Sequence, residues 1–245
     1  MIIDYRKPWN IEQNRIYELS DVESGPSMQK DYTFYMELKL QRDPSDTYVK
    51  GLFVRPGMHY GLFAKLNGGC FSFDWWTKEE HLEHPSFWTL QTDHLGNAIW
   101  DDWLFIIRHD YREKKITVLA KNKFTGDTVR RTKTYLGEMW DYTSAPFHFG
   151  FCNYYDGIIP DPEHIGFCSY DLKECGLFAE LHSEEDVIDM INSNRGCFRT
   201  PQTVLSNPIF VLNPREHTKY KVWDFSGNSM HLEYNLVVNE RVKLL

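Results

Sequence analysis

The clearest pattern in the chain is a period of two. From Asp31 to Leu40 the residues Tyr32, Phe34, Met36, Leu38 and Leu40 recur at every second position. Successive side chains of an extended strand point to opposite faces, so this spacing predicts a strand with one buried side. Shorter runs of the same kind follow at Lys50–Val54, His59–Leu66, Gly69–Trp75, Trp103–His109, Lys115–Lys121, Phe147–Asn153 and Glu163–Tyr170. Between them stand Arg55-Pro56-Gly57, Asn67-Gly68-Gly69, Thr125-Gly126-Asp127 and Asp156-Gly157, residues that supply the fixed or positive φ of tight reversals. Many short strands joined by such turns predict an all-β fold, an antiparallel sandwich.

One segment has helical spacing instead. Ser183 is a natural N-cap, acids fill positions 184–186, and Val187, Ile188 and Ile191 then fall on one side, which predicts a short helix over 183–194 ending near Gly196. Beyond it Pro201, Pro208 and Pro214 interrupt the pattern. Ile209–Leu212, Lys219–Phe225 and Met230–Val238 still read as strands. The organisation expected is a sandwich over 1–195, with 196–245 as returning edge strands or a small C-terminal appendage.

Composition narrows what such a sandwich can be. The 245 residues are 42% hydrophobic and 16% aromatic, enough for one large core. With a net charge of −8 and Lys and Arg scattered, the chain lacks the basic footprint of a nucleic-acid binder, so no nucleic acid partner is expected. No stretch approaches the roughly 18 apolar residues of a membrane helix, so no membrane partner is expected either. Residues 1–10, charged at Asp4, Arg6 and Lys7, do not resemble a secretory signal. Cytoplasmic production followed by an extracellular or particle-surface role fits this equally well. The five cysteines, Cys70, Cys152, Cys168, Cys175 and Cys197, form an odd set without zinc spacing. Cys168 and Cys175 are near enough in sequence for a bridge across a loop, or stand as two thiols in a reducing compartment.

The order of motifs resembles the concanavalin A-like lectin/glucanase superfamily, in its laminin G-like and pentraxin-like branches. The strand Asp31–Leu40, the hairpin Arg55–Leu62, and the pair Trp103–His109 with Lys115–Lys121 carry part of the likeness. Phe147-His-Phe-Gly-Phe-Cys-Asn153, an acidic loop, Glu163-His-Ile-Gly-Phe-Cys-Ser-Tyr170 and Leu181-His-Ser-Glu-Glu-Asp-Val187 carry the rest. The resemblance covers roughly residues 15–195 and implies a jelly-roll sandwich. Trp223-Asp-Phe-Ser-Gly-Asn-Ser-Met-His231 resembles a segment that in such domains precedes the first strand, yet here it lies near the C-terminus. It either completes this sandwich or begins another module.

The same resemblance points to calcium in the loop after the penultimate strand. Asn153, Asp156 and Asp161 are the hard oxygen donors there, around a turning Gly157. The bland alternative is an ordinary Asp-Gly reversal. Glycan binding needs aromatic rings beside polar loops, because sugars stack their C–H faces on rings while carboxylates and amides bond the hydroxyls. Trp75, Trp76, Trp88, Trp100 and Trp103 concentrate five of the eight tryptophans between residues 75 and 103. Adjacent Trp75 and Trp76 must point to opposite faces of a strand, so one of them should leave the core. Trp75, Trp76 and Trp88, with Tyr154 and Asp156, are therefore the ligand-binding candidates.

Catalytic signals are weaker. A retaining glycosidase places two carboxyls about 5 Å apart, and the closest sequence imitation, Glu138-Met-Trp-Asp141, sets its acids on opposite faces. Glu79-Glu-His-Leu-Glu-His84 has the composition of a metal site in the context of a solvated loop. No phosphate loop or nucleophile elbow is present. The reading expected is a non-catalytic carbohydrate-binding or adhesion module for a glycan or polysaccharide. The alternatives are a glycan-active hydrolase or lyase of the same architecture, and a structural domain of a phage or viral particle working through protein contacts or homo-oligomerisation.

Overall fold

The strand expected from Asp31 onward forms over Tyr32–Leu40, and its neighbours show why nearly every residue in it is buried. In the computed structural model, residues 9–11, 17–19, 27–42, 49–55, 60–66, 69–79, 86–139, 147–152, 166–167, 169–194, 203–217 and 221–234 are described. They contain β1 (Trp9–Ile11), β2 (Tyr17–Leu19), β3 (Tyr32–Leu40), β4 (Val49–Arg55), β5 (Tyr60–Lys65), β6 (Cys70–Lys78), β7 (Ser86–Gln91), β8 (Asp102–Asp110) and β9 (Lys115–Asn122). After these come β10 (Thr128–Thr134), β11 (Glu138–Met139), β12 (His148–Phe149), β13 (Phe151–Cys152), β14 (Gly166–Phe167), β15 (Tyr170–Phe178), α1 (Glu184–Asn194), β16 (Pro208–His217), β17 (Lys221–Asp224) and β18 (Leu232–Tyr234).

Hydrogen bonding links the strands in the order β10-β9-β8-β3-β15-β16-β17-β18-β2-β12-β4-β5-β6-β11, with β1 on β15 and β7 on β6; β13 and β14 pair separately. This antiparallel ribbon doubles over into a sandwich. Rings from β3 and β8 meet rings from β4, β5 and β6 across the gap: Phe34 stacks on Phe53 at 4.2 Å, Tyr32 meets Tyr60 at 6.1 Å, and Phe71 meets Phe105 at 4.8 Å. Tyr32, Phe34, Met36, Leu38 and Leu40 all face this core. Each fully buried ring or aliphatic side chain of this kind contributes about 1.5–3 kcal/mol of burial free energy.

The opposite face of β3 is also covered. Tyr35 joins Leu104, Ile106, Leu119, Phe178 and Val211 in a second apolar cluster, onto which α1 packs Val187, Met190 and Ile191. The helix starts as its sequence requires. Ser183 Oγ accepts the Asp186 N–H at 3.0 Å, and the Asp186 carboxylate accepts the Ser183 hydroxyl at 2.6 Å and its backbone N–H at 3.3 Å, a reciprocal cap.

Three departures from the sequence reading have physical causes. Within the run expected over Glu163–Tyr170 the described strand is β14, and a longer strand not expected from the sequence begins at Tyr170 and runs to Phe178 between β3 and β16. A bulge between Leu172 and Glu174 breaks its alternation, and Glu174 is buried, so no period of two is visible there. β7 and β10 were not anticipated either. β10 reads Thr-Val-Arg-Arg-Thr-Lys-Thr with alternating exposure, a sheet-end strand that pairs only with β9 and has no apolar face of its own. Finally, β16, β17 and β18 each hydrogen-bond on both sides, so these three strands stand inside the ribbon between β15 and β2. The possible Cys168–Cys175 bridge is not formed: Cys175 is a free, fully buried thiol whose pKa is pushed well up by desolvation.

Candidate functional site

Strand pairing sorts the three tryptophan candidates. β6 and β7 pair with Trp75 opposite Trp88 and Trp76 opposite Phe87. Trp75 is 0% exposed, packed against Phe73 at 6.0 Å and Tyr135 at 6.2 Å, and stacked on Trp88 at 6.5 Å. A ring wholly inside the core offers no face to a ligand, so Trp75 is corrected from candidate binder to core residue. Trp88 lies on the same side, half-buried. Its indole N–H donates to Thr77 Oγ1 at 2.8 Å, and the Lys133 ammonium sits 5.4 Å from its centroid. Trp88 is thus engaged by Trp75 and Lys133, and serves to close the sandwich where β7 meets β10.

Trp76 points the other way, as adjacent strand residues must. It is half-buried and tilted against Phe87, with centroids 5.2 Å apart, and Phe87 is 48% exposed. These two rings make an aromatic platform on the outer surface of a sheet-end strand. Composition alone pointed to the tryptophans and missed Phe87. The signal that finds it is cross-strand register, which requires β7 to be recognised first.

Polar groups lie on the same outer face. Asp74, one strand pair along, accepts a hydrogen bond from the Thr89 hydroxyl at 2.6 Å and an ion pair from Lys65 at 3.2 Å. On the other side Lys78 stands opposite Glu138. Glu138 accepts hydrogen bonds from Lys114 Nζ at 2.7 Å and from the Tyr111 hydroxyl, and these two donors, Lys114 first, hold its carboxyl below the usual carboxylate range. Asp74, only 6% exposed, is satisfied by Thr89 and Lys65, whereas the exposed Lys78 and Glu138 beside the ring pair can bond the hydroxyls of a pyranose whose apolar face stacks on the rings.

Other arrangements are less accessible. Glu37 and Glu174 face each other directly across β3 and β15, and Tyr35 Oη donates to Glu174 Oε1 at 3.0 Å. Lys123 Nζ lies 3.6 Å from Glu37. Both carboxylates are at most 1% exposed, enclosed and out of a substrate's reach. An apolar cleft between β6, β7, β9 and β10 is lined by Leu62, Phe71, Phe105 and Val118 and flanked by Arg131, which grips Asp93 with 2.6 and 2.7 Å contacts. Its free space of about 10 Å³ admits one water and no sugar ring.

Tyr154, Asp156, Asn153 and Asp161 lie outside the described residues, as do Asp141 and residues 80–84 of the Glu/His cluster. Among the described residues no group of three His, Cys, Asp or Glu side chains is placed to hold a metal ion. No described helix is long and apolar enough to cross a membrane.

No family model matches the sequence. No curated protein matches it significantly. Solved structures do resemble the fold. The Ruminococcus gnavus IT-sialidase CBM40 is 13% identical with a TM-score of 0.51, over 75% of this chain and 95% of that one. The same CBM40 bound to alpha2,6 sialyllactose aligns at 12% identity and a TM-score of 0.43, over 73% of this chain and 98% of that one. The binding domain of botulinum neurotoxin serotype C1 aligns at 9% identity and 0.48, over 76% of this chain and 47% of that one. Identities this low show a shared fold and nothing more, and of the three only the first exceeds 0.5. The chain is an antiparallel β-sandwich of the jelly-roll kind.

Proposed function

We propose that the chain is a non-catalytic glycan-binding module that holds its ligand on the Trp76–Phe87 platform. The observation that carries this reading is the pairing of two aromatic rings, one of them 48% exposed, on the outer face of a sheet-end strand beside the exposed Lys78 and Glu138. A surface Phe beside a surface Trp is costly to leave in water, and the neighbouring Glu138 carboxylate is already held by Lys114 and Tyr111, so it needs little ordering when a sugar docks. The R. gnavus CBM40, whose fold is shared, is also described as bound to sialyllactose, which supports the ligand class. The concanavalin A-like assignment belongs to the same proposal and rests on the sequence motifs.

A glycan array with the wild-type chain, Trp76→Ala and Phe87→Ala tests it. Binding by the wild type that falls at least ten-fold in both variants is expected. Binding unchanged in both would remove the platform from the reading, and no binding to any glycan would turn attention to protein-mediated assembly. Asn153, Asp156 and Asp161 are the proposed calcium donors, with Tyr154 and Asp156 contacting the ligand. Repeating the array with calcium and with a chelator tests that part, since calcium-independent binding contradicts it.

A further inference from the structure

The outer edge of β10 is unpaired and matches itself. Among the described residues β10 pairs only with β9, and its sequence, Thr128-Val-Arg-Arg-Thr-Lys-Thr134, contains no acid. At the two ends of this ladder the Asn122 N–H donates to the Asp127 carbonyl at 2.8 Å and the Tyr135 N–H donates to the Lys114 carbonyl at 2.9 Å. Asp127 and Tyr135 thus bond toward β9, and alternation turns the backbone groups of Val129, Arg131 and Lys133 the same way. The N–H and C=O groups of Thr128, Arg130, Thr132 and Thr134 point outward, and all four residues are exposed.

The basic side chains leave this edge open. Arg131 turns back across the sandwich to hold Asp93 at 2.6 and 2.7 Å, and Lys133 reaches the Thr89 carbonyl at 3.4 Å and the Trp88 ring. Lys133 thereby blunts the edge of β7 rather than that of β10. Arg130 pairs with Glu184 of α1. The Arg130 carbonyl accepts Arg131 Nη1 at 3.1 Å and keeps its second lone pair. A strand edge of this length with unpaired backbone groups is a template for another strand.

We propose that this edge joins two copies of the chain, β10 against β10, antiparallel and centred on Arg131. In that register Thr128 stands opposite the partner's Thr134 and Arg130 opposite the partner's Thr132, and the two-fold axis repeats both pairs. These are pairs of the hydrogen-bonded kind, each exchanging two N–H···O bonds, so every outward group on both strands is satisfied by about eight bonds in all. Val129 meets the partner's Lys133. The single like-charged pair, Arg131 with the partner's Arg131, joins two guanidinium groups that each already hold an Asp93 carboxylate. Sliding the strands by two residues leaves one outward residue of each strand unpaired and sets either Arg130 against Arg130 or Arg131 against Lys133, so only the centred register is both complete and free of uncompensated repulsion. This self-match assigns the edge to a second copy. The inference stands whatever ligand the chain binds, and a dimer would carry the Trp76–Phe87 platform twice, raising avidity for a repeating ligand.

Sedimentation velocity of the full chain across the micromolar range tests it, with three variants at the exposed Thr132. Thr132→Lys sets an ammonium opposite the partner's Arg130 at both symmetric positions and should weaken the dimer by about three-fold or more; Thr132→Glu sets a carboxylate there and should tighten it by about the same factor. Thr132→Pro removes an outward N–H that β9 does not use, at an edge position that tolerates proline, and should abolish the dimer. Near-UV circular dichroism checks that each variant is folded, and the Lys and Glu substitutions keep the test decisive if proline disturbs β10. A wild type that sediments as one chain throughout the range would overturn the inference and leave the edge to an unlike strand. A dimer unmoved by all three variants, or moved in the same direction by Lys and Glu, would overturn it too, because the interface would then lie elsewhere.

Discussion

Acid should unfold this protein through one buried imidazole. His109 on β8 is 0% exposed, sharing a hydrogen bond with the Tyr135 hydroxyl and packed 4.7 Å from the Tyr32 ring. Desolvation lowers its pKa from 6.5 to about 3, against a smaller opposing pull from Asp110. The folded pKa lies below the unfolded one, so in the window between about 3 and 6.5 the unfolded chain binds the proton and the folded chain does not. Stability is then complete above pH 6.5 and declines as pH falls. Integrating the linkage from pH 8 to pH 5 gives a loss of about 2 kcal/mol from this residue, and about 3 kcal/mol by pH 4. His109→Phe keeps an aromatic ring against Tyr32 and removes the titration. It also removes the partner of Tyr135, a pH-independent cost of about 1–2 kcal/mol. The assay is urea unfolding followed by tryptophan fluorescence at pH 8, 6 and 5. The variant should be the less stable protein at pH 8, with the gap closing to near zero at pH 5. Wild type and variant losing stability in parallel across that range would refute the reasoning, because carboxylates elsewhere contribute equally to both.

Two further outcomes follow from local geometry. Asp224→Ala removes from the β17–β18 hairpin the acceptor of four hydrogen bonds, donated by the Val211, Ser226 and Met230 N–H groups and the Ser226 hydroxyl, and leaves the Val211 N–H, on a 0% exposed residue, without its acceptor; a loss of about 2–4 kcal/mol in urea unfolding is expected, and a change under about 0.5 kcal/mol would contradict that role. Ser183→Ala removes the reciprocal cap of α1 and should cost about 1 kcal/mol, read by the same unfolding assay, with Ser183→Asp restoring most of it if the cap is the cause.

Much of the scaffold is local information. The period of two in residues 32–40 places Tyr32, Phe34, Met36, Leu38 and Leu40 on the core face, and the Ser183 cap with its acids begins α1 where the pattern says it should. Adjacency alone requires Trp75 and Trp76 to diverge, since the pleat leaves no alternative. Which of the two faces water is a different matter: it depends on which side of β6 the facing layer covers, and only the packing of Phe73, Tyr135 and Trp88 around Trp75 decides that. Phe87 becomes a site residue only because β7 pairs in the register that brings it to Trp76, and β15 hides in the sequence because a bulge and the buried Glu174 erase its alternation. The place of β17 in the ribbon, between β16 and β18, likewise rests on contacts that no single segment encodes. Alternation fixes what each residue does relative to its neighbours in the chain, whereas burial, and with it the choice between core and binding surface, is set by strands distant in sequence that close over one face and leave the other open.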